Sequence, residues 1–356
     1  MIQRITIKNF LNHESFSIEN LPSITVFIGE NDTGKTGLLK LLYATTKSLE
    51  IFSRKNSSFG ASYKKVLAEK LFTTFQPRKN GIGDLVYKGS KEKLSVDIRF
   101  KKNDKPNYQQ DLRFSFGDST TQNITDCTEQ IDNAPNDFNA LFLPSKEVLT
   151  AFKAIKFTRD PHFLLGFDDT YLDLINALEI PTQKGNVAAE LAKVNRDLED
   201  LFEGVVNQTD KDESFIFKKG NTEFSMSMTA EGIKKIGIIT TLIRSRQLGK
   251  NTILFLDEPE TALHPKAVRE LMEMIVKMSK AGVQILLSTH SYFVIKQLTN
   301  CAKRDNLEIL CCSLEKEKGK SVIANFSNLK DGLPDNPIVE EALKMFDEEI
   351  KIDLGL

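Results

Sequence analysis

The chain has 356 residues, with 48 Lys and Arg against 49 Asp and Glu, giving a formal net charge of −1 at pH 7. Near-neutrality argues against a chain built mainly as a polycationic nucleic-acid coat and leaves a local basic patch as the way to meet a phosphate backbone. Hydrophobic residues at 40% and charged ones at 27% are the balance of a globular protein, and the length fits one large domain or two lobes.

With 24 Phe and no Trp, Phe supplies most of the aromatic packing. Residues 1–10 lack the apolar core and small-residue cleavage site of a secretory signal, and no apolar run approaches the ~18 residues of a membrane span. A cytoplasmic protein without membrane contact is expected. Cys127, Cys301, Cys311 and Cys312 form no Cys-x-x-Cys pair, and the neighbours Cys311 and Cys312 are poorly placed to bridge, so all four read as buried thiols.

In chain order, strands are expected at residues 4–8 and 16–18, with a turn at 9–13 between them. A third strand at 24–28 runs into Gly29-Glu30-Asn31-Asp32-Thr33-Gly34-Lys35-Thr36-Gly37, and residues 38–42 take helical spacing. This order of strand, glycine loop and helix fits the phosphate-cradling pattern Gly-x-x-x-x-Gly-Lys-[Ser/Thr]. Gly29 and Gly34 let several backbone N–H groups face one anion, and the following helix adds its positive end. Lys35 would neutralise β- and γ-phosphate charge, and the Thr36 hydroxyl would hold Mg²⁺.

Residues 48–83 read as polar and irregular apart from a helical stretch at 64–72. Residues 84–116 alternate in β fashion around a turn at 102–106 and carry Lys88, Lys91, Lys93, Arg99, Lys101, Lys102, Lys105 and Arg113. Those charges are either a solvated hairpin face or a phosphate-backbone contact. A buried strand at 139–143 ends in Pro144-Ser145-Lys146-Glu147. Residues 148–202 are helical in tendency, with apolar residues three and four apart at 173–178 and 187–202, before β alternation returns at 210–227. The helices therefore look like an insertion between two β stretches.

The chemistry gathers in the second half. Residues 251–258 form a continuous apolar run ending in Asp257 and Glu258, as expected of a central parallel strand whose carboxyl end faces a ligand. Asp257 would act on the Mg²⁺ shell, and Glu258 would orient or deprotonate the attacking water. A second buried strand at 283–288 ends in Thr289-His290-Ser291, where the recurring ligand-facing edge favours a γ-phosphate contact for His290 over a structural role. Thr229-Ala230-Glu231-Gly232 opens an apolar helix through Leu242, either as an anion-facing helix start or as a plain one.

Residues 29–36, 229–235, 253–260, 262–265 and 288–291 resemble, in order, the Walker A, signature, Walker B, D-loop and switch-His motifs of ATP-binding-cassette ATPases of the SMC, RecF and OLD branch. Residues 7–13 also resemble the amino-terminal strand and turn of SMC-like heads, which would place Asn12 and His13 near adenine. The resemblance implies an α/β fold: a P-loop ABC-ATPase head with a mixed β-sheet core and an inserted helical lobe. On that pattern, 1–147 is a nucleotide-binding lobe with Walker A and a hairpin, and 148–228 is the helical insertion with return strands. Residues 229–326 complete the nucleotide-binding lobe, and 327–356 form an acidic helix.

The resemblance further implies ATP and Mg²⁺ as cofactors and a homodimer or larger homo-oligomer, with ATP held between one subunit's Walker motifs and the other's signature. Residues 29–37 would cradle the phosphates, Lys35, Glu258 and His290 would be catalytic, and Thr36 and Asp257 would serve the metal. Glu147, or Lys146, stands where the family places its Q-loop, although no Gln is present; Glu147 would then be a third metal contact. Ala230 stands where the signature Ser meets the γ-phosphate. Either Thr229 supplies that hydroxyl or the contact falls to N–H groups near Gly232, with Glu231 beside them, and slow or gated hydrolysis would follow.

Length then separates relatives. The helical stretch at 148–202 is too short for the long coiled coil of SMC proteins, and the chain beyond His290 is short for a fused TOPRIM nuclease. The expectation is an ATPase acting as sensor or scaffold of a bacterial antiviral complex with a separately encoded nuclease or toxin. A RecF-like DNA-repair ATPase and a non-hydrolysing ATP-bound scaffold are the alternatives, and a transporter subunit fits least. Residues 307–314 and 322–326 suggest a hairpin. Residues 337–350 suggest an amphipathic helix, acidic through Glu340, Glu341, Asp347, Glu348 and Glu349, that packs on the chain's own sheet or docks a partner. Neutrality is thus the sum of a basic hairpin at 88–113 and an acidic tail at 331–353.

Overall fold

The computed structural model describes the chain apart from residues 56–61, 79–80, 103–104, 120–121, 133, 136, 160–163, 165, 183–188, 210–213, 317–319 and 355–356. Parts of the expected turn at 102–106, of the helix from 187, of the alternation from 210 and of the hairpin tip near 316–320 therefore lie outside the described residues. The side chains of Lys102 and Lys105 do so too.

Strands β1 (Ile2–Phe10) and β2 (His13–Ile18) form a hairpin, and β3 (Ile24–Gly29) leads through the glycine loop into α1 (Lys35–Lys55), followed by α2 (Tyr63–Phe75). A 3-10 turn at Gly81–Leu85 precedes the hairpin β4 (Leu94–Lys102) and β5 (Lys105–Phe116), then the short β6 (Asp126–Cys127) and β7 (Asn139–Leu143). Helices α3 (Phe152–Arg159), α4 (Asp169–Leu178) and α5 (Ala189–Leu201) come next, with β8 (Val205–Thr209), β9 (Ser214–Lys219) and β10 (Thr222–Ser225) behind them. The rest alternates: α6 (Glu231–Arg244), β11 (Thr252–Asp257), α7 (Pro265–Lys280), β12 (Gln284–Thr289), α8 (Tyr292–Asp305), β13 (Ile309–Lys316), β14 (Val322–Asn328) and α9 (Pro337–Leu354).

The central sheet has the order β14-β13-β3-β12-β11-β7, parallel except for β14. Strands β3, β7, β11 and β12 are buried along their whole length, which is why they read as unbroken apolar runs rather than alternations. Along β11, Ile253 and Phe255 pack with Leu38, Leu42 and Tyr43 of α1 and with the antiparallel sheet β2-β1-β4-β5-β6. Leu254 and Leu256 face the other way, into a core built by α3 to α8 and the small sheet β10-β9-β8. This is the expected α/β architecture with a mixed sheet and helices inserted between β7 and β8.

The differences from expectation have local causes. Helix α1 continues to Lys55, past the point where the sequence turns polar: Leu49 is buried in the core, and the buried Thr45, Thr46 and Ser48 satisfy their hydroxyls on carbonyls four residues back. Residues 84–93 are not strand: Val86 makes one bridge to Phe10, and pairing begins only at Leu94. Helix α9 packs on the core only through its first turn, Ile338 and Val339, while Leu343, Phe346 and Ile350 are more than half exposed. The cysteines are free, Cys301, Cys311 and Cys312 buried and Cys127 half-buried. Among the described residues, no helix is long and apolar enough to cross a membrane.

Candidate functional site

Parallel register brings five strand ends to one edge. Leu143 pairs with Leu256, Asp257 with Ser288, Thr289 with Ile28, and Gly29 with Leu314. The glycine loop closes over this edge. Gly29 (φ +152°) has the Leu314 carbonyl oxygen 2.3 Å from where a Cβ would sit, and Gly34 (φ +84°) has His13 Nε2 at 2.5 Å, so neither position admits a side chain. Lys35 folds back, its ammonium donating to the carbonyls of Gly29 (2.7 Å) and Glu30 (2.8 Å). Burial lowers its pKa from the usual lysine value, opposed by the charges of Glu258, Asp257 and Glu260.

Thr36, the second residue of α1, donates to Asp257 Oδ1 at 2.8 Å, and Ser288 donates to the same oxygen at 2.6 Å. A hydroxyl and a carboxylate held together are the donor set Mg²⁺ uses when phosphates and water complete its shell. Among the described residues no cluster of three or more His, Cys, Asp or Glu could hold a metal ion. Thr36 and Asp257 therefore fit the metal role expected of them.

Glu258 follows in the left-handed region (φ +47°), its N–H bonded to the Ser288 carbonyl at 3.1 Å and its Oε1 3.0 Å from His290 Nδ1. Behind this pair, Thr289 donates to Glu260 Oε1 at 2.5 Å; Glu260 is 9% exposed, and burial raises its pKa above the usual carboxylate value. The Lys235 ammonium reaches the Glu258 carbonyl at 3.4 Å, and burial lowers its pKa. Sequence reasoning assigned no role to Ser288, Thr289, Glu260 or Lys235. The β11–β12 register that puts Ser288 opposite Asp257 is not visible in either strand alone.

The remaining expected residues are distributed as follows. Asn12 donates to the Asp32 carbonyl at 3.1 Å, on the rim of the loop. His13 is fully buried beneath Gly34, with no hydrogen-bond partner on either ring nitrogen among the described residues, and burial pushes its pKa down to about 4. Thr229 is turned inward, 9% exposed, and donates to the Ser225 carbonyl at 2.8 Å. Ala230 and Glu231 face outward at the start of α6, whereas Gly232 is buried against Leu263. Glu147 accepts from the Thr150 N–H at 3.1 Å and lies 3.6 Å from Lys234, which also pairs with Glu231 at 2.6 Å. The bonds joining Thr36, Asp257 and Ser288 do not include it. Glu147, Lys235 and Pro259 instead share the lining of a cavity of about 20 Å³, room for roughly one water.

Three of the hairpin's cations are paired within their own sheet. Arg99 pairs with Asp111 (2.7 Å), Arg113 with Asp97 (2.8 Å) and Lys93 with Asp126 (3.3 Å).

Fold and site together define the class: an ATPase head of the SMC, RecF and OLD branch. The chain belongs to the family described as "AAA domain, putative AbiEii toxin, Type IV TA system", which matches residues 24–296. It is 49% identical over 41 residues to the Old nuclease of Escherichia phage P2, covering 12% of this chain and 7% of that protein. It is 45% identical over 49 residues to the DNA replication and repair protein RecF of Listeria welshimeri, covering 13% of each. An uncharacterized protein of Methanocaldococcus jannaschii is 34% identical over 104 residues, 29% of this chain and 43% of that one. The chain thus spans less than half the length of these curated relatives. Among solved structures, an SMC head bound to the C-winged helix domain of ScpA superposes with a TM-score of 0.56 at 13% identity, over 93% of this chain and 98% of that one. The Smc head domain with an extended coiled coil bound to the C-terminal domain of ScpA, from Pyrococcus furiosus, gives 0.52 at 13%, over 98% and 99%.

Proposed function

We propose that the chain binds and hydrolyses ATP at this edge and acts, as a homodimer or larger homo-oligomer in the cytoplasm, as the sensor or scaffold subunit of a bacterial antiviral complex. The observation that carries the hydrolytic reading is the side-by-side placement of two pairs, Thr36 with Asp257 and Glu258 with His290. Residues 29–37 bind the triphosphate through backbone N–H groups, and Lys35 exchanges its carbonyl partners for phosphate oxygens. A water held by Glu258 attacks the γ-phosphorus in line, its proton passes to the Glu258 carboxylate, and ADP leaves. His290 orients Glu258 and meets the γ-phosphate. Thr36 and Asp257 would hold Mg²⁺, which would supply positive charge against the triphosphate.

Met228, Ala230 and Glu231 face outward at the start of α6, open to the nucleotide of a second copy. Thr229, already bonded to Ser225, leaves that contact to backbone N–H groups, which supports slow or gated turnover. A separately encoded nuclease or toxin is the proposed partner, supported by the exposed apolar residues of α9 and by solved SMC heads that carry a bound partner domain. The test is phosphate release by wild type, Lys35→Ala and Glu258→Gln, with oligomer mass measured with and without ATP. Wild-type turnover lost in both variants, and an ATP-dependent dimer retained in Glu258→Gln, support the reading; no turnover and no dimer in wild type sink it.

The RecF-like alternative rests on the matching 49-residue segment, and the hairpin's internal ion pairs weigh against it. Salt-sensitive DNA binding lost on removing Lys88 and Lys91 would revive it.

A further inference from the structure

The carboxyl ends of β3 and β13 lie side by side, Gly29 opposite Leu314, and two residues beyond Leu314 the chain reaches the glycine loop a second time. Lys316 Nζ forms an ion pair with the carboxylate of Asp32, the loop residue held at φ +64°. Asn12 holds Asp32 from the other side, its amide donating to the Asp32 carbonyl (3.1 Å) and approaching its carboxylate (3.4 Å). Asn12 is itself fixed, because its carbonyl accepts the N–H of Val322, the first residue of β14 (2.9 Å). Two separate segments therefore close on one side chain of the loop, the β1–β2 turn and the end of β13, and the start of β14 braces the first of them.

A carboxylate in this place opposes the proposed ligand. The loop from Gly29 to Lys35 carries Glu30 and Asp32 against one cation, Lys35, and a triphosphate seated on its N–H groups lies against that same backbone. Lys316 cancels the charge of Asp32 where it matters most and holds the residue in its left-handed turn. It does little for the fold, because Asp32 is 77% exposed and solvent-exposed pairs add little stability.

We propose that Lys316 is a positioning residue of the nucleotide site, acting through Asp32 to make the glycine loop electrostatically acceptable to a nucleoside triphosphate. This rests on the reading of the loop as an ATP site. None of the sequence motifs contains Lys316, and β13 is a strand to which that reading assigned only a structural part.

The experiment measures the affinity of a fluorescent ATP analogue, and of its diphosphate counterpart, for wild type, Lys316→Met, Lys316→Arg, Asp32→Asn and the double variant Lys316→Met/Asp32→Asn, with melting temperature recorded for each. Lys316→Met is expected to weaken triphosphate binding about tenfold and diphosphate binding less, with an unchanged melting temperature. Lys316→Arg restores affinity, and in the Asp32→Asn background removal of Lys316 has no further effect. Wild-type affinity in Lys316→Met, or an equal loss in both backgrounds, overturns the proposal while leaving the ATP site standing. A wild type that binds no analogue, or binds it equally after Lys35→Ala, overturns the ATP reading and this proposal with it.

Discussion

Thr36 and Asp257 stand 221 positions apart in the chain and share a 2.8 Å hydrogen bond. Thr36 lies in the first turn of α1 and Asp257 ends the buried parallel strand β11, and Ser288 fixes the shared oxygen from the neighbouring strand β12. Asp257→Asn keeps size and an acceptor for Thr36 but removes the charge a metal needs. Metal-dependent ATP turnover is expected to fall at least about 100-fold, with nucleotide binding in the absence of metal unchanged. Turnover measured across a Mg²⁺ titration checks this, and a variant that regains full rate at high Mg²⁺ would show that the carboxylate only tunes affinity.

Glu258 and His290 make the second pair. Glu258→Gln is expected to bring hydrolysis near background while ATP still binds, because the amide can accept from His290 but cannot take a proton. His290→Ala is expected to lower kcat by about 10²- to 10⁴-fold with a small effect on KM, as for a group that aligns a general base. A His290→Ala enzyme that loses affinity and keeps its rate would place the imidazole on the ground-state phosphate instead.

How far the sequence disclosed this site depends on the kind of signal. Gly29, Gly34 and Lys35 were legible because loop geometry demands those residue types at that spacing. Asp257 and Glu258 were legible because a doubly covered strand has a run of apolar residues and an abrupt polar end. Ser288 and Lys235 were not, since their roles come from strand register and helix docking across distant segments. Lys316 lies at the end of an ordinary strand, and only the β3–β13 pairing carries it to the loop. For His13 the motif context pointed toward adenine, whereas packing beneath Gly34 buries it completely. Helix α9 was legible as amphipathic, but periodicity does not say whether an apolar stripe meets the chain's own core.

His13 makes acid stability testable. Its pKa is depressed from 6.5 to about 4 by burial, so the folded state binds the proton less readily than the unfolded chain. The stabilisation is present above the unfolded pKa near 6.5 and is lost as pH falls through the folded value near 4, for a total of about 3 kcal/mol. His13→Leu removes the titrating ring. The melting temperature of wild type relative to this variant is expected to drop steadily from pH 6.5 to pH 4, and a constant difference over that range would contradict the assignment.

A buried ionic cluster ties the helical insertion to the Walker A helix. Asp169 accepts from Lys70 (2.6 Å), Thr73 (2.5 Å) and Arg159 (2.5 Å), while Asp173 accepts from Tyr43 of α1 (2.6 Å) and Lys40 of α1 pairs with Asp168 (2.5 Å). Burial pushes the Asp169 carboxyl up, but Lys70, Thr73 and Arg159 outweigh it and hold it below the usual range. Asp169→Ala strips two buried cations of a partner and is expected to destabilise the fold by about 3–5 kcal/mol. Denaturant unfolding gives the value, and a loss under 1 kcal/mol would mean water or a neighbouring carboxylate replaces Asp169.

Ala230 offers a test in which gain and loss are read separately. It occupies the N-cap of α6 with extended backbone angles (φ −62°, ψ 144°) and provides no side-chain cap. Serine fits that conformation and its hydroxyl can accept an N–H of the first turn, so Ala230→Ser is expected to stabilise the chain by about 1 kcal/mol. The same hydroxyl would face outward, where a second copy's nucleotide would meet the signature. If the missing hydroxyl restrains turnover, Ala230→Ser raises kcat several-fold in a manner that depends on protein concentration, because the proposed composite site would need two subunits. A rise in melting temperature with unchanged kcat at every concentration would instead make Ala230 a plain helix start and return the gating of hydrolysis to the Glu258–His290 pair.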